Sequence, residues 1–252
     1  MKSDYIISVV TVCYNAEKTI RDTLESIKSQ KKSDIQYIVV DGGSNDDTLE
    51  ILGEYSDIID ILLSEKDKGI YDAMNKGIAL ASGRYISFLN ADDFYGEGAL
   101  ERVATELTAS SDTDAMLVDC IFLNESGSES LFKMSLDKPR LHYQIPFMHP
   151  SAFISRRFLS VDNNFDVKYK LAADCDFLQR FLKFNPKISV CNAKVFMRTG
   201  GASDTGFFKS RIEYFNISIK NGYGYIPSTY GLLKSLLFKM LSDLRSKLRE
   251  VF

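Results

Sequence analysis

The chain has 252 residues, 45% hydrophobic and 26% charged, which is enough apolar material for one large α/β domain, or one domain with an appendage, and speaks against disorder. The net charge is −3, but residues 206–252 carry eight Lys or Arg against three Asp or Glu, so the tail stands at +5 and the first 205 residues at −8. An acidic body speaks against nucleic acid as its partner, and four cysteines, at 13, 120, 175 and 191, without a CxxC pair speak against a zinc site or a disulfide framework and for reduced thiols in cytoplasm.

Residues 6–13 are short and β-branched. They read as a buried strand rather than the apolar part of a signal peptide, because Tyr14-Asn15 breaks the run at once. Cys13 and Cys120 lie in apolar runs as small core residues. Residues 19–30 place Ile20, Leu24 and Ile27 at helical spacing. Residues 35–40 form a second strand, ending in Asp41-Gly42-Gly43-Ser44-Asn45-Asp46-Asp47, where Asp46 or Asp47 offers an N-cap for a helix through Leu52. A third strand is expected over 58–63, a helix over 70–81 stopped at Gly83, and a fourth strand over 85–89 ending in Asn90-Ala91-Asp92-Asp93. Then come a helix over 98–107 and a strand over 115–123, with Ser126-Gly127-Ser128 as a hairpin turn towards Leu131-Phe132. A helix over 171–184, a strand over 187–196, and helices over 207–221 and 229–251 complete the chain. No run reaches the ~20 apolar residues that span a bilayer.

Strand–helix alternation with short loops predicts an α/β fold: a mostly parallel central sheet flanked by helices, followed by a C-terminal helical extension. Ligands of such sheets bind beyond the carboxyl ends of the strands. Three of those ends carry polar clusters here: Tyr14-Asn15, Asp41 to Asp47, and Asn90 to Asp93. A dinucleotide fold does not fit, because Cys13-Tyr14-Asn15-Ala16 has no glycine to cradle a pyrophosphate, and a Walker loop is absent. Adjacent Asp92 and Asp93 repel each other at the end of a buried strand. Mg²⁺ or Mn²⁺ would compensate them and hold phosphates; the simpler role is capping the next helix.

In order and spacing, Thr11-Val12-Cys13-Tyr14-Asn15, Asp41 to Thr48, Glu65 to Gly77 and Asn90-Ala91-Asp92-Asp93 resemble glycosyltransferase family 2, whose fold is called GT-A. The resemblance is dense over 5–100, thinner over 149–180 and absent from the tail. It implies a GT-A domain over 1–205, with a nucleotide-sugar half (1–100) and an acceptor half (101–205), and an extension over 206–252. The stretch Glu65 to Gly77 looks like the branch that builds O-antigen, capsule and exopolysaccharide. The implied reaction is inverting transfer of a sugar from a UDP-, GDP- or dTDP-sugar to a glycan acceptor, lipid-linked at the inner face of the cytoplasmic membrane. Carried over by residue, Asp41 would bind the donor's base, with Thr11, Tyr14 and Asn15 lining the pocket. Asp67, Lys68, Asp72 and Asn75 would face the donor. The family's Asp-x-Asp metal motif reads Asn90-Ala91-Asp92 here, so one charge is lost. Asp92 would be the chief metal-side ligand, with Asp93 on ribose or metal and His149 as a further ligand or acceptor contact.

Inversion needs a base on the acceptor side. Ala172-Ala173-Asp174-Cys175-Asp176-Phe177-Leu178-Gln179-Arg180 resembles the family segment that carries it, and Asp174 is the expected base. Asp176 competes, although it could simply pair with Arg180 at i,i+4. Two other functions were weighed. A sugar-nucleotide pyrophosphorylase would need a glycine-rich basic first turn; a non-catalytic nucleotide- or glycan-binding homologue draws support only from Asn90. In the tail, Leu233, Leu237, Met240, Leu241, Leu244, Leu248 and Val251 form an apolar stripe beside Lys234, Lys239, Arg245, Lys247 and Arg249. Such a helix over 229–251 lies on an anionic bilayer, or packs on the catalytic domain or a second subunit.

Overall fold

The computed structural model describes residues 5–110, 112–124, 126–134, 136, 141, 145–159, 164–200 and 206–251, with side chains described as far as Leu241 in the last helix. The described strands are β1 (Ile7–Cys13), β2 (Ile35–Asp41), β3 (Ile61–Ser64), β4 (Tyr85–Asn90), β5 (Phe94–Tyr95), β6 (Ala115–Leu123), β7 (Glu129–Phe132), β8 (Ala152–Ser155) and β9 (Ile188–Arg198). The helices are α1 (Ile20–Lys28), α2 (Thr48–Glu54), α3 (Ile70–Leu80), α4 (Ala99–Ala109), α5 (Ala173–Lys183), α6 (Phe207–Lys220) and α7 (Tyr225–Val251).

The strands form one sheet in the order β3-β2-β1-β4-β8-β6-β9-β5, with β7 beside β6. The first four are parallel, as strand–helix alternation demands. The second half is mixed: β8 runs antiparallel between β4 and β6, while β6 and β9 are parallel.

Every residue of β1 and β2 is buried, so both faces of the sheet are covered. Side chains alternate between two cores. Ile7, Val9, Tyr37 and Val39 pack under α1, α2 and α4; Val10, Val12, Ile38 and Val40 pack under α3, α5 and α6. At the amino ends of the strands, Ser8 Oγ donates to Gln36 Oε1 at 2.6 Å, and Gly83 N–H donates to Ser8 Oγ at 2.8 Å. This network seats the α3–β4 turn directly on the β1 backbone.

Three elements start more than one residue from where the sequence pattern places them. β3 starts at Ile61 because Ile58 is a core plug in the turn after α2, its N–H bonded to Tyr55 O at 3.0 Å. α5 starts at Ala173 because the Leu171 N–H is taken by Glu213 Oε2 of α6 at 2.9 Å. α7 starts at Tyr225, with Pro227 inside its first turn, where a missing N–H costs nothing.

α6 is not a loose appendage. Tyr214 and Ile217 belong to the second core, and a buried polar seam joins α6 to α5: Gln179 Nε2 donates to Ser218 Oγ at 3.0 Å, and Asn221 Nδ2 to Gln179 Oε1 at 3.0 Å. α7 packs on α6.

A Cβ at Gly83 would stand 2.6 Å from Ser8 N, whereas one at exposed Gly53 of α2 meets nothing within 4 Å. Gly83→Ala is therefore expected to lower stability by about 1–3 kcal/mol, and Gly53→Ala to raise it by about 0.5–1 kcal/mol. Urea unfolding of the two variants checks both signs.

Candidate active site

The parallel register sets Cys13 beside Asp41, Asp41 beside Ser64, and Val12 beside Asn90. The carboxyl ends of four strands thus open on one edge, and the loops there are sewn together. Asn15, at φ 49, donates its N–H to Ser44 Oγ at 2.8 Å and accepts the Asn45 N–H on Oδ1 at 2.9 Å. Asn tolerates that left-handed backbone. Asp46, rather than Asp47, receives the first N–H of α2, from Thr48 at 3.1 Å.

Asp41 is fully buried, and its carboxylate accepts the N–H groups of Gly43 and Ser44 and the hydroxyls of Ser44 and Ser64. It organises the loop, and a ligand reaches it only where one of those hydroxyls turns away. Thr11 is buried and takes the Tyr37 hydroxyl at 3.1 Å, so it belongs to the core and does not line the pocket. Tyr14 is 60% exposed. A Cβ on Gly42 would meet Asp67 Oδ2 at 2.6 Å and the Tyr14 ring at 3.4 Å, so Gly42 is what lets Asp67 and Tyr14 close over this edge.

The segment from Glu65 to Gly77 divides by task. Asp67 holds the Gly69 N–H at 2.8 Å and Asp72 the Lys68 N–H at 3.0 Å, which shapes the turn into α3. The Lys68 side chain is exposed, and its carbonyl receives Lys170 Nζ at 3.1 Å. Asn75 spends both polar atoms on the Phe165 backbone, at 2.8 and 3.0 Å. Asp72 and Asn75, expected at the donor, therefore work inside the protein.

Asp93 also turns inward. It is fully buried, with Oδ1 on the Arg198 N–H at 3.2 Å and Oδ2 on Asn90 Nδ2 at 3.1 Å. Burial first, and then the neighbouring Asp92, push its carboxyl well above the usual range. Asp92 stays partly open. Burial raises it too, against the lowering pull of its own backbone N–H, Arg198 and His149. Asn90 Oδ1 and both His149 ring nitrogens are buried without a hydrogen-bond partner.

Among the described residues no three His, Cys, Asp or Glu side chains converge as a metal site. The expected trio of Asp92, Asp93 and His149 is thus not gathered, because Asp93 is drawn to Arg198 and Asn90. What remains fits a cation that takes the rest of its ligands from a diphosphate and water. Asp92 is the open carboxylate, Asn90 Oδ1 is an orphaned oxygen, and the raised Asp92–Asp93 pair gains from added positive charge.

Asp174 lies in the first turn of α5. Its Oδ1 accepts the Tyr71 hydroxyl at 3.0 Å and the Cys175 N–H at 2.9 Å. Its Oδ2 faces His149 Nδ1 at 3.7 Å, too far for a hydrogen bond. Burial pushes the Asp174 carboxyl up, but His149, Tyr71 and the Cys175 N–H outweigh it and hold the carboxyl below its ordinary value. Asp176 is different. It is fully buried and tied to Arg180 Nε at 2.8 Å, Lys220 Nζ at 3.2 Å and Asn221 Nδ2 at 3.3 Å, so it fastens α5 to α6. Its pairing with Arg180 at i,i+4 was legible in the sequence; its burial was not.

Sequence reasoning missed Arg198 and Tyr71. Arg198 ends β9, holds the Asp92 carbonyl at 2.6 Å, pairs with Asp22 and stacks over Phe94. A strand predicted to stop at Phe196 hid it. A cavity of about 660 Å³ lies at the opposite ends of the strands, near Arg84, Tyr85, Asp114 and Arg157. Asp114 there is paired with Arg157 and the Lys187 N–H.

A family model described as Glycosyl transferase family 2 matches residues 8–161. The chain belongs to that family. It is 28% identical over 223 residues to a "PGL/p-HBAD biosynthesis glycosyltransferase" of Mycobacterium tuberculosis, covering 85% of this chain and 86% of that one. Its fold matches S. aureus TarS 1–349 in complex with UDP-GlcNAc at TM-score 0.67 and 21% identity, covering 91% of this chain and 71% of that one; it spans 42% of the longer TarS chain. It also matches the Pyrobaculum calidifontis mannosyltransferase PcManGT in complex with GDP-Man and Mn2+, at TM-score 0.63 and 18% identity, covering 90% and 68%. The fold is GT-A, and the chain is a glycosyltransferase of family 2.

Because Asp176 sits between two cations in the α5–α6 seam, Asp176→Ala is expected to cost about 3 kcal/mol of stability. Asp72→Ala, which frees the Lys68 N–H and removes an acid from the first turn of α3, should cost about 1 kcal/mol. Denaturant midpoints at fixed slope measure both.

Proposed function

We propose that this glycosyltransferase inverts the anomeric centre as it moves a sugar from a nucleoside-diphosphate donor to a hydroxyl of a lipid-linked surface glycan, at the cytoplasmic face of the membrane, with Mn²⁺ or Mg²⁺ as cofactor. The observation that carries the reading is Asp174: a buried carboxylate, held below its usual range, with one oxygen tied to the protein and the other open. Such a carboxylate is ionised at neutral pH, and its open oxygen is placed to accept a proton. In the step, the acceptor O–H gives its proton to Asp174, and the acceptor oxygen bonds the anomeric carbon. The bond to the diphosphate breaks, and its electron pair leaves with the nucleoside diphosphate.

Tyr14, Gly42 and Asp67 receive the donor's base, with Asp41 behind them. Asp92 and Asn90 Oδ1 hold the cation, and His149 stands between that centre and the base. A bound divalent cation neutralises charge on the leaving diphosphate. Arg198 fixes the Asp92-Asp93 loop from behind through the Asp92 carbonyl and the Asp93 carboxylate. The names of similar proteins support this reading: one is a PGL/p-HBAD biosynthesis glycosyltransferase, one is bound to UDP-GlcNAc, and one to GDP-Man and Mn2+.

The tail supports the lipid surface. α7 buries Ser228 and Gly231 and half-buries Leu232, Ser235 and Leu236. It leaves Ile226, Tyr230, Leu233, Leu237 and Met240 more than half exposed, in a stripe at spacings of three and four. The apolar face is thus outward rather than packed on the catalytic domain. The rest of the expected stripe, Leu244, Leu248 and Val251, lies outside the described side chains. No helix among the described residues is long and apolar enough to cross a membrane. The occupant proposed for the stripe is an anionic bilayer, because the tail is +5 while the body is −8.

A thermal-shift screen of UDP-, GDP- and dTDP-sugars tests the donor reading. One class is expected to stabilise the chain with Mn²⁺ present, by about 2.7 kcal/mol at a hundredfold excess over Kd. Nucleoside diphosphate release should vanish in excess chelator and in Asp92→Ala; full activity in chelator sinks the metal role. The bilayer reading predicts that the chain sediments with anionic vesicles and less with neutral ones, and that Leu233→Glu with Leu237→Glu abolishes this. Equal sedimentation of both proteins removes it.

A further inference from the structure

We propose that Tyr71 is a positioning residue for the catalytic carboxylate: its hydroxyl ties off Asp174 Oδ1, so that Oδ2 is the oxygen that takes the acceptor's proton. The proposal rests on Asp174 being the base. The two carboxylate oxygens are not equivalent. Oδ1 accepts two hydrogen bonds, from Tyr71 at 3.0 Å and Cys175 N–H at 2.9 Å. Oδ2 accepts none from the described residues and faces His149 at 3.7 Å. A carboxylate with one oxygen held in two places cannot spin about its terminal torsion, which is otherwise soft. Tyr71 therefore sets the direction of the free lone pairs.

The tyrosine is itself held. Its ring lies 5.6 Å from the Phe165 ring, which also meets Phe88 at 5.3 Å and Phe177 at 5.4 Å. Phe165 is pinned by Asn75 through both its N–H and its carbonyl. Tyr71 and Asn75 are one turn apart on α3, so a single helix face builds the whole support. This gives Asn75 a use that donor binding does not. A buried tyrosine hydroxyl always needs some partner. Tyr37, Tyr85 and Tyr214 find theirs on Thr11 Oγ1, Thr113 O and Leu141 O, neutral oxygens of the interior. Tyr71 instead reaches across 103 positions of sequence to a carboxylate at the cleft. It stands in the first turn of α3, directly after the Asp67-Lys68-Gly69 turn. The donor-side loop and the acceptor-side base are thereby joined by one side chain.

The test is a two-by-two set: the unchanged chain, Tyr71→Phe, Asp174→Asn and the double variant. Nucleoside diphosphate release is followed with Mn²⁺ over the UDP-, GDP- and dTDP-sugar panel, water serving as acceptor, and kinetics are taken on the fastest donor. Tyr71→Phe keeps the ring and removes only the hydroxyl. It is expected to lower kcat about tenfold with donor KM within about twofold, and Asp174→Asn to lower kcat about a hundredfold or more. In the Asp174→Asn background the second substitution should change nothing beyond about twofold, because the two groups act as one unit. Unchanged kcat in Tyr71→Phe, a rise in KM alone, or losses that multiply would overturn the proposal while Asp174 stands as base. Full activity in Asp174→Asn instead overturns the base assignment itself. Absence of release by the unchanged chain overturns the catalytic reading, and the role of Tyr71 with it.

Discussion

β1 lies between β2 and β4 with every residue in register, and the working edge is a consequence of that pairing. Cys13, Asp41 and Ser64 end their strands on one line, with Asn90 beside Val12 one residue back. A parallel sheet buried on both faces has only its strand ends to offer to a ligand. A slip of one residue would send Val10 and Val12 to the opposite core and Asp41 away from the Ser64 hydroxyl. The apolar strands therefore aim the polar loops, and the amino-end network of Ser8, Gln36 and Gly83 helps fix the register from the other end.

The same edge must keep four carboxylates inside the protein, and it does so in three ways. Asp41 is fed by N–H groups and hydroxyls. Asp176 is clamped by Arg180 and Lys220. Asp93 has two donors, and burial and Asp92 push it upward against the pull of Arg198. Asp174 lies between these cases, with enough donors to stay ionised and one oxygen left over. A buried charge that is fully paired is inert, and one without partners takes up a proton. Only the intermediate arrangement leaves a charged oxygen available for chemistry, and that separates Asp174 from its neighbour two residues on.

The strands and helices of the first half were legible because their signals are local: β-branched runs, helical spacing, and glycines where turns fall. Ile58 misled because an apolar residue in a turn carries the same hydrophobicity as one in a strand. β5 escaped because two residues carry no period. The clusters at the strand ends do meet on one edge of the sheet, but the tasks within them were not readable. Asp92 and Asp93 are the same residue type, and only Arg198, more than a hundred positions away, decides which one turns inward. Asn75 and Thr11 sit in the right motifs, yet both face the interior. Tyr71 lies inside a recognisable segment, but its partner is 103 residues distant. Long-range hydrogen bonds leave no trace in spacing.

The tail shows how one charge imbalance serves two ends. α6 turns Lys220 inward to Asp176 and Glu213 to the Lys170 and Leu171 N–H groups, so it braces the segment that presents Asp174. α7 follows, with Ser228 and Gly231 buried, Leu232, Ser235 and Leu236 half-buried, and Ile226, Tyr230, Leu233, Leu237 and Met240 exposed. α6 is thus bonded to α5 on one side and packed on α7 on the other, so the last two helices join the second core in series.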